Sequence, residues 1–452
     1  MGAGLVISVD NGTGAVGPIA ALQARGIDVI VTDHHGTSEE PVAEAFAVLN
    51  PRLPDAGYPD RELAGVGMAF KLACAVAESF TRGRKQGEEM AGFLRDALAY
   101  VAIGTVADVA PMRGENRVMV SHGLRALTAS PDPGIKALLD IAGVRRRDAS
   151  PEDISFRIAP LINAAGRVGH AKEAVDLFLA PGLSEAQERA AKLGVRNGQR
   201  REVEKGITQK VMELAEAQGD KPAVVLGGDD WHQGVLGIVA SRLVDKTGKP
   251  AVLIGFPTEA QQAAGASDPS RAKNGRGSAR APAGWHLRDC LAACAEYLEA
   301  YGGHAAAAGM EIQKDRFPAF QQALWAHLDS LEREVQPIAT DGGASLKELE
   351  PRALQRMEQL GPFGQGNRRP VFAPGPVQMA GPPAGDFRGR DLRRRGAADG
   401  VVLPARWPRQ AERFEEIRRI DQPVRIAYSP RLNTHGDEGP IQLILHHLEV
   451  AD

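Results

Sequence analysis

At 452 residues the chain exceeds what one hydrophobic core organises, and length alone suggests roughly three domains. Hydrophobic residues at 43% and charged residues at 25% are an ordinary soluble composition, and the net charge of −3 (54 Lys+Arg against 57 Asp+Glu) excludes a general coat of basic charge for indiscriminate nucleic-acid binding, though not a local basic groove. Apolar runs such as 222–226 and 251–254 fall far short of a bilayer span, no charged-then-apolar leader opens the chain, and three cysteines cannot make a disulfide framework; a cytoplasmic protein with no membrane segment is expected.

In chain order, LVISVD (5–10) is an apolar strand ending on Asp10, with Asn11-Gly12-Thr13-Gly14 as its turn. A buried parallel strand needs neighbours on both sides, so further sequence upstream of Met1 is expected. A helix near 16–25, a strand over 28–32 and an Ala-rich helix after Gly65 follow, giving a parallel sheet covered by helices. Both strands place polar residues at their carboxyl ends, Asp10 and Asp33-His34-His35, at the edge where open α/β sheets bind ligands. GTVADVAP (104–111) reads as an apolar, β-rich segment interrupted by Asp108.

Residues 184–218 predict one long polar helix. Ser184 and Gln187 suggest a capping box, and Val203, Ile207, Val211 and Leu214 make a thin apolar stripe, as in a helix bridging two domains. Residues 221–335 predict a second α/β unit. It has strands near 223–226, 251–254 and 277–281, helices over 235–245 and near 287–300, an exposed loop over 258–277 and a turn at Gly302-Gly303-His304. In 341–452 the alternation of Val424, Ile426, Tyr428 and of Ile441, Leu443, Leu445 predicts half-buried antiparallel strands in a small barrel.

Three potential ligands in a row after β-formers suit a divalent cation: carboxylate with imidazole suits Mn²⁺, and carboxylates alone suit Mg²⁺. A loop with solvated histidines is the plainer alternative for Asp33-His34-His35, and a helix cap or structural ion pair is the alternative for Asp108. Arg167 and Arg280 could equally be interdomain salt bridges. Gly234 and Gly237, near a helix start, suit packing and phosphate binding alike. His232, His286, His446 and His447 read as structural or surface residues. RGRDLRRRG (388–396) is the one dense basic run, with Phe387 its only nearby aromatic residue.

The motifs VDNG (9–12), VTDHH (31–35), LAGVGMAFKL (63–72), GTVADVAPMRGENR (104–117), INAAGR (162–167), GSARAPAGWHL (277–287) and GGHAAAAG (302–309), in that order, resemble the RecJ-type single-strand-specific exonucleases of the DHH phosphoesterase family. The resemblance implies an α/β fold: a parallel-sheet DHH domain over 1–183, incomplete at its N-terminus, a connecting helix over 184–218, an α/β DHH-associated domain over 219–340 and an OB-fold β-barrel over 341–452. It implies Asp10, His34 and Asp108 as metal ligands, and Asp33, His34 and His35 as the catalytic triplet with His35 close to the scissile phosphate. It further implies that Ser278 and Arg280 hold phosphates of the strand, that Arg167 helps hold its 5′ end and that His304 faces the substrate. The expected activity is 5′-to-3′ hydrolysis of single-stranded DNA with Mn²⁺ or Mg²⁺ in repair and recombination, with a single-strand-binding protein and a helicase as partners. The family's Asp-x-Asp-x-Asp-Gly metal motif does not occur in the chain, so an impaired activity is expected. Two other readings are a DHH phosphodiesterase of short oligonucleotides or cyclic dinucleotides, and a catalytically dead single-strand-binding remnant.

Overall fold

The computed structural model describes residues 2–36, 42–81, 87–144, 149–258, 274–331, 337–385, 392–398, 400–408, 410, 413–433 and 439–451. They form two compact units, one of residues 1–131, 143–159 and 338–452 and the other of 132–142 and 160–337.

In the first unit, strands β1 (Leu5–Val9), β2 (Asp28–Thr32) and β3 (Ala47–Leu49) pair in parallel in that order, and helix α1 (Val16–Gln23) makes the first crossover. The β-branched run of β2 fills the sheet centre, with Val29 and Val31 buried against Ile19 of α1 and Ala43. Contrary to the expectation of a buried strand, β1 lies at the sheet edge: Leu5, Ile7 and Val9 are about half exposed, and Ile7 and Val9 line an apolar groove with Leu72, Val76, Phe80 and Phe93.

Helices α2 (Gly65–Thr81), α3 (Glu88–Ala107) and α4 (Gly114–Ala129) follow. The β-rich reading of 104–111 is wrong. Gly104–Ala107 complete α3, and Asp108 is its C-cap. Ala99, Ala102, Ile103 and Val106 are buried at helical spacing, so packing overrides the strand preference of Val and Ile. By length and composition α3 could cross a membrane, and its carboxyl half is buried inside this unit.

In the second unit, α5 (Pro133–Ala142), α6 (Ala159–Val168, all but its first residue), α7 (Lys172–Phe178) and α8 (Leu183–Gln218) precede the sheet. α8 is the single long helix expected, and all of it lies within this unit. Its N-cap is Gly182 without a side-chain cap, so Ser184 and Gln187 form no capping box; Ile207 and Val211 are buried, whereas Leu214 is exposed. Strand β4 (Val224–Asp229), helix α9 (Gln233–Thr247), strands β5 (Ala251–Phe256) and β6 (Gly275–Arg280), helix α10 (Leu287–Ala292), strands β7 (Ala300–Gly303) and β8 (Ala307–Ile312) and helix α11 (Phe317–Asp329) complete it. The sheet order is β4-β5-β6-β8-β7, with β4 and β5 parallel and the rest antiparallel. Val225, Val252 and Ile254 meet Phe320, Leu324 and Trp325 in its core. The helix expected over 287–300 stops at Ala292; Ala295–Tyr297 are a separate 3-10 turn. Of the expected loop 258–277, residues 259–273 lie outside the described residues and 275–277 belong to β6.

The chain then returns to the first unit through α12 (Pro351–Glu358), β9 (Gln378–Gly385), β10 (Leu392–Ala398), β11 (Val401–Trp407), α13 (Phe414–Arg418), β12 (Val424–Leu432) and β13 (Ile441–Val450). The sheet runs β12-β13-β11-β10-β9, and bridges Val377–Val424 and Phe372–Tyr428 bring the chain before β9 back to β12, as in a barrel. Within this sheet β11 and β13 pair in parallel, and the other pairs are antiparallel. All six residues of the alternating pattern point inward and are buried. In the basic run 388–396, residues 388–391 lie outside the described residues, as does Phe387.

Candidate metal centre and phosphate-binding residues

β1 and β2 are adjacent and parallel, so their carboxyl ends emerge together, and the Asp10 N–H donates to Thr32 O at 2.8 Å. His34 Nε2 lies 3.1 Å from Asp10 Oδ1 and 3.5 Å from Asp108 Oδ2. The three expected ligands therefore converge, and His35 joins them, since atoms of Asp10, His34 and His35 lie within 4.8 Å of one another. Asp10 and Val109, the residue after Asp108, both adopt left-handed backbone (φ 64° and 58°). That conformation is costly for a β-branched residue and concentrates at functional sites.

Asp33 has a different place. Its Oδ2 accepts from Thr13 N–H (3.0 Å) and Thr13 Oγ1 (2.7 Å), and its Oδ1 faces His34 N–H (2.7 Å), His35 N–H (3.2 Å) and His35 Nδ1 (2.8 Å). Burial alone would raise its pKa, but the hydrogen bonds from His35 and Thr13 outweigh it and hold the carboxyl at about 2. Asp33 is thus an ionised anchor that fixes the ring of His35 rather than one of the converging groups. Thr13 and Asn50, whose Nδ2 donates to Thr13 Oγ1 and to His35 O, complete this network; motif reading passed over both.

The donor set fits a divalent cation. His34 Nε2 is buried between two carboxylates with no hydrogen-bond partner, an arrangement a cation would satisfy. Burial raises Asp108; His34 pulls it down and Asp10 pushes it up, leaving it above the usual carboxylate range. Gly65, the first residue of α2, leaves the space for Asp10: a Cβ there would fall 2.0 Å from Asp10 Oδ1. Buried Asn116 holds that helix start, accepting from Ala64 N–H at 3.0 Å and donating to Glu62 O and Pro111 O.

The loop after Asp108 is held by a segment of the C-terminal region that sequence reading did not single out, GPFGQGN (361–367). Met112 N–H donates to Gln365 O at 2.6 Å, Arg113 Nε to Gly366 O at 2.6 Å and Arg117 Nη2 to Gly361 O at 3.2 Å. Its richness in glycine beside a proline was the available signal.

In the second unit, Arg280 Nη1 donates to Ser278 Oγ at 3.0 Å, and Arg167 Nη1 donates to Gly234 O at 2.7 Å. Gly237 permits this grouping at the first turns of α9, since a Cβ there would lie 2.7 Å from Arg280 Nη2. Burial, and then the neighbouring guanidinium of Arg167, lower the pKa of Arg280. His304 follows β7, is exposed and donates its N–H to the carbonyl of Ala307, which is also the register partner of Arg280 on β8. His232 accepts from Gly234 N–H as the cap of α9, and His286 pairs with Asp289.

Residues 4–105 match the family described as the DHH family, N-terminal domain; 219–329 match the DHHA1 domain and 340–447 the RecJ OB domain. The chain is 34% identical over 374 residues to the single-stranded-DNA-specific exonuclease RecJ of Bacillus subtilis, which covers 82% of this chain and 44% of that protein. It is 32% identical over 479 residues to the protein of the same name from Haemophilus influenzae, covering 100% of this chain and 78% of that one. Crystal structures of RecJ from Thermus thermophilus are similar in fold: the Mn²⁺ complex at TM-score 0.81 and 27% identity, the Mg²⁺ complex at 0.73 and 26%, each covering 99% of this chain and 62% of that one. The chain thus spans about half to two thirds of the length of several relatives it matches.

Proposed function

Since the chain belongs to the RecJ family of single-stranded-DNA-specific exonucleases, we propose that it binds single-stranded DNA and hydrolyses its phosphodiester bonds from the 5′ end with a divalent cation. The observation that carries this reading is His34 Nε2, buried and without a hydrogen-bond partner between Asp10 and Asp108. Asp10, His34 and Asp108 would hold Mn²⁺ or Mg²⁺. Such an ion, when bound, activates water and neutralises charge on phosphoryl oxygens.

The chain's own residues do the rest. Asp33 holds a proton on His35 Nδ1 and so aims the other ring nitrogen, Nε2, at the phosphate. Ser278 and Arg280 grip phosphates of the strand, where the guanidinium fork matches phosphate oxygens, Arg167 helps hold its 5′ end, and His304 adds a contact to the strand. The barrel supports strand binding, which a phosphodiesterase of dinucleotides would not need. No Asp-x-Asp-x-Asp-Gly sequence occurs in the chain, so the ligands in hand serve one ion and turnover by this chain is slow. Repair and recombination, a cytoplasmic setting, and a single-strand-binding protein and helicase as partners complete the reading.

The test is to give the purified chain a single strand labelled at either end, with Mn²⁺ or with chelator. The reading expects slow mononucleotide release from the 5′ end, abolished by chelator. Release from the 3′ end, or release unaffected by chelator, would overturn it, and rapid Mn²⁺-dependent turnover would overturn the one-ion account.

A further inference from the structure

A second cavity of about 260 Å³ lies within the first unit, where the loop after Asp108 meets the C-terminal region. Val106, Val109 and Ala110, which flank Asp108, form one wall; Arg368, Arg369 and Arg431 form another, with Glu152 beside them. Three guanidinium groups line the cavity next to a cluster of acidic ligands, and each is paired with one carboxylate.

The three arginines are not equivalent. Arg369 meets both oxygens of Glu358, at 2.5 Å and 3.1 Å, and its guanidinium stacks 4.4 Å from the centre of the Phe363 ring; its role is to brace the wall. Arg368 and Arg431 each meet one carboxylate through a single Nη2, Asp341 at 3.1 Å and Glu152 at 3.0 Å. Both remain substantially solvent-accessible, and the guanidinium fork retains donors for an anion. Their field reaches His446, whose pKa is lowered by burial, then by Arg431 and Arg368. Val109, 65% exposed in its left-handed conformation, offers an apolar contact at the rim on the side of Asp108.

An enzyme that works from the 5′ end always has the remainder of the strand on the 3′ side of the bond it cuts. We propose that this cavity is the site for that remainder: Arg368 and Arg431 contact a phosphodiester group downstream of the scissile bond, with Val109 against its sugar or base. The inference rests on the single-strand reading above and adds a subsite to it. Glu152 then acts as a built-in competitor that occupies Arg431 when no strand is present.

The test measures binding in chelator, so that turnover plays no part. A twelve-nucleotide oligothymidylate and a dinucleotide, both 5′-phosphorylated, are titrated against the chain and its variants. Arg368→Gln with Arg431→Gln weakens the twelve-mer about tenfold and lowers the slope of log affinity against log salt by about 0.7, the value for one phosphate of a single strand, while the dinucleotide is unaffected. Arg280→Gln weakens both ligands. Glu152→Gln tightens the twelve-mer by roughly threefold, an effect of opposite sign that loss of folding cannot mimic. Equal binding of the twelve-mer by the double variant and the original chain overturns the subsite, and so does weaker binding by Glu152→Gln. If the original chain binds neither oligonucleotide, the single-strand reading itself fails and the subsite with it.

Discussion

Asp33 Oδ1 lies 2.8 Å from His35 Nδ1, a carboxylate–imidazole pair set directly behind the converging groups of Asp10, His34 and Asp108. Because the same carboxylate also accepts from Thr13 and from two backbone N–H groups, its replacement by an amide turns acceptors into donors facing donors. Asp33→Asn is expected to lower Mn²⁺ affinity about 10- to 100-fold, the usual cost of losing a group that orients a metal site. Calorimetric titration of Mn²⁺ checks this, with Asn50→Ala as a milder companion.

Gly65→Ala places a Cβ 2.0 Å from Asp10 Oδ1, which forces the carboxylate or the start of α2 to move. The expected result is a loss of about 1–3 kcal/mol of stability, together with weaker Mn²⁺ binding. Thermal melts in chelator separate the stability loss from the metal effect.

Arg280 sits beside Ser278 and Arg167 with its charge partly desolvated. Arg280→Gln is expected to weaken binding of a 5′-phosphorylated strand about tenfold and to narrow the difference between 5′-phosphate and 5′-hydroxyl ends. Arg280→Lys restores the charge but not the fork and recovers only part of the loss. Fluorescence anisotropy with the two oligonucleotides is the check.

His446 is held below the ordinary imidazole value by burial, then by Arg431 and Arg368, and its Nε2 lies 2.8 Å from Ser429 Oγ. The folded chain therefore prefers the neutral ring. Its contribution to stability is full above the unfolded value of about 6.5 and is lost as pH falls through the lower folded value. The melting temperature of the original chain should fall more steeply on acidification below about pH 6.5 than that of His446→Gln, whose side chain cannot titrate. Parallel melting curves for the two proteins would contradict this.

The residues that converge at the site were legible because they follow local rules. Asp10 and Asp33-His34-His35 each end a run of β-formers, and parallel pairing of β1 with β2 brings such ends together. Asp108 was found by its composition but misplaced on a strand. Its preceding Val and Ile residues favour strands locally, whereas burial of one face of α3 in the core decides for helix. Ser184 failed as a cap for a related reason: Gly182 starts α8 a fraction of a turn earlier, and the local pattern does not distinguish the two.

What escaped the sequence is the support around the site. Thr13, Asn50 and Asn116 act through hydrogen bonds several of which cross 20 to 54 residues of chain. No spacing rule connects a polar side chain to a partner that distant. The GPFGQGN segment is the extreme case, meeting Arg113 and Arg117 across some 240 to 250 residues. Its glycines and proline mark a turn but say nothing of what the turn touches.

The most direct test of the account is Mn²⁺ titration of the chain and of His34→Ala, followed by calorimetry and by the electron paramagnetic resonance of free Mn²⁺. The account predicts that the original chain takes up one ion and that His34→Ala takes up none at the same concentrations while keeping its melting temperature in chelator. Undiminished Mn²⁺ binding by a folded His34→Ala would contradict the claim that Asp10, His34 and Asp108 form a metal centre.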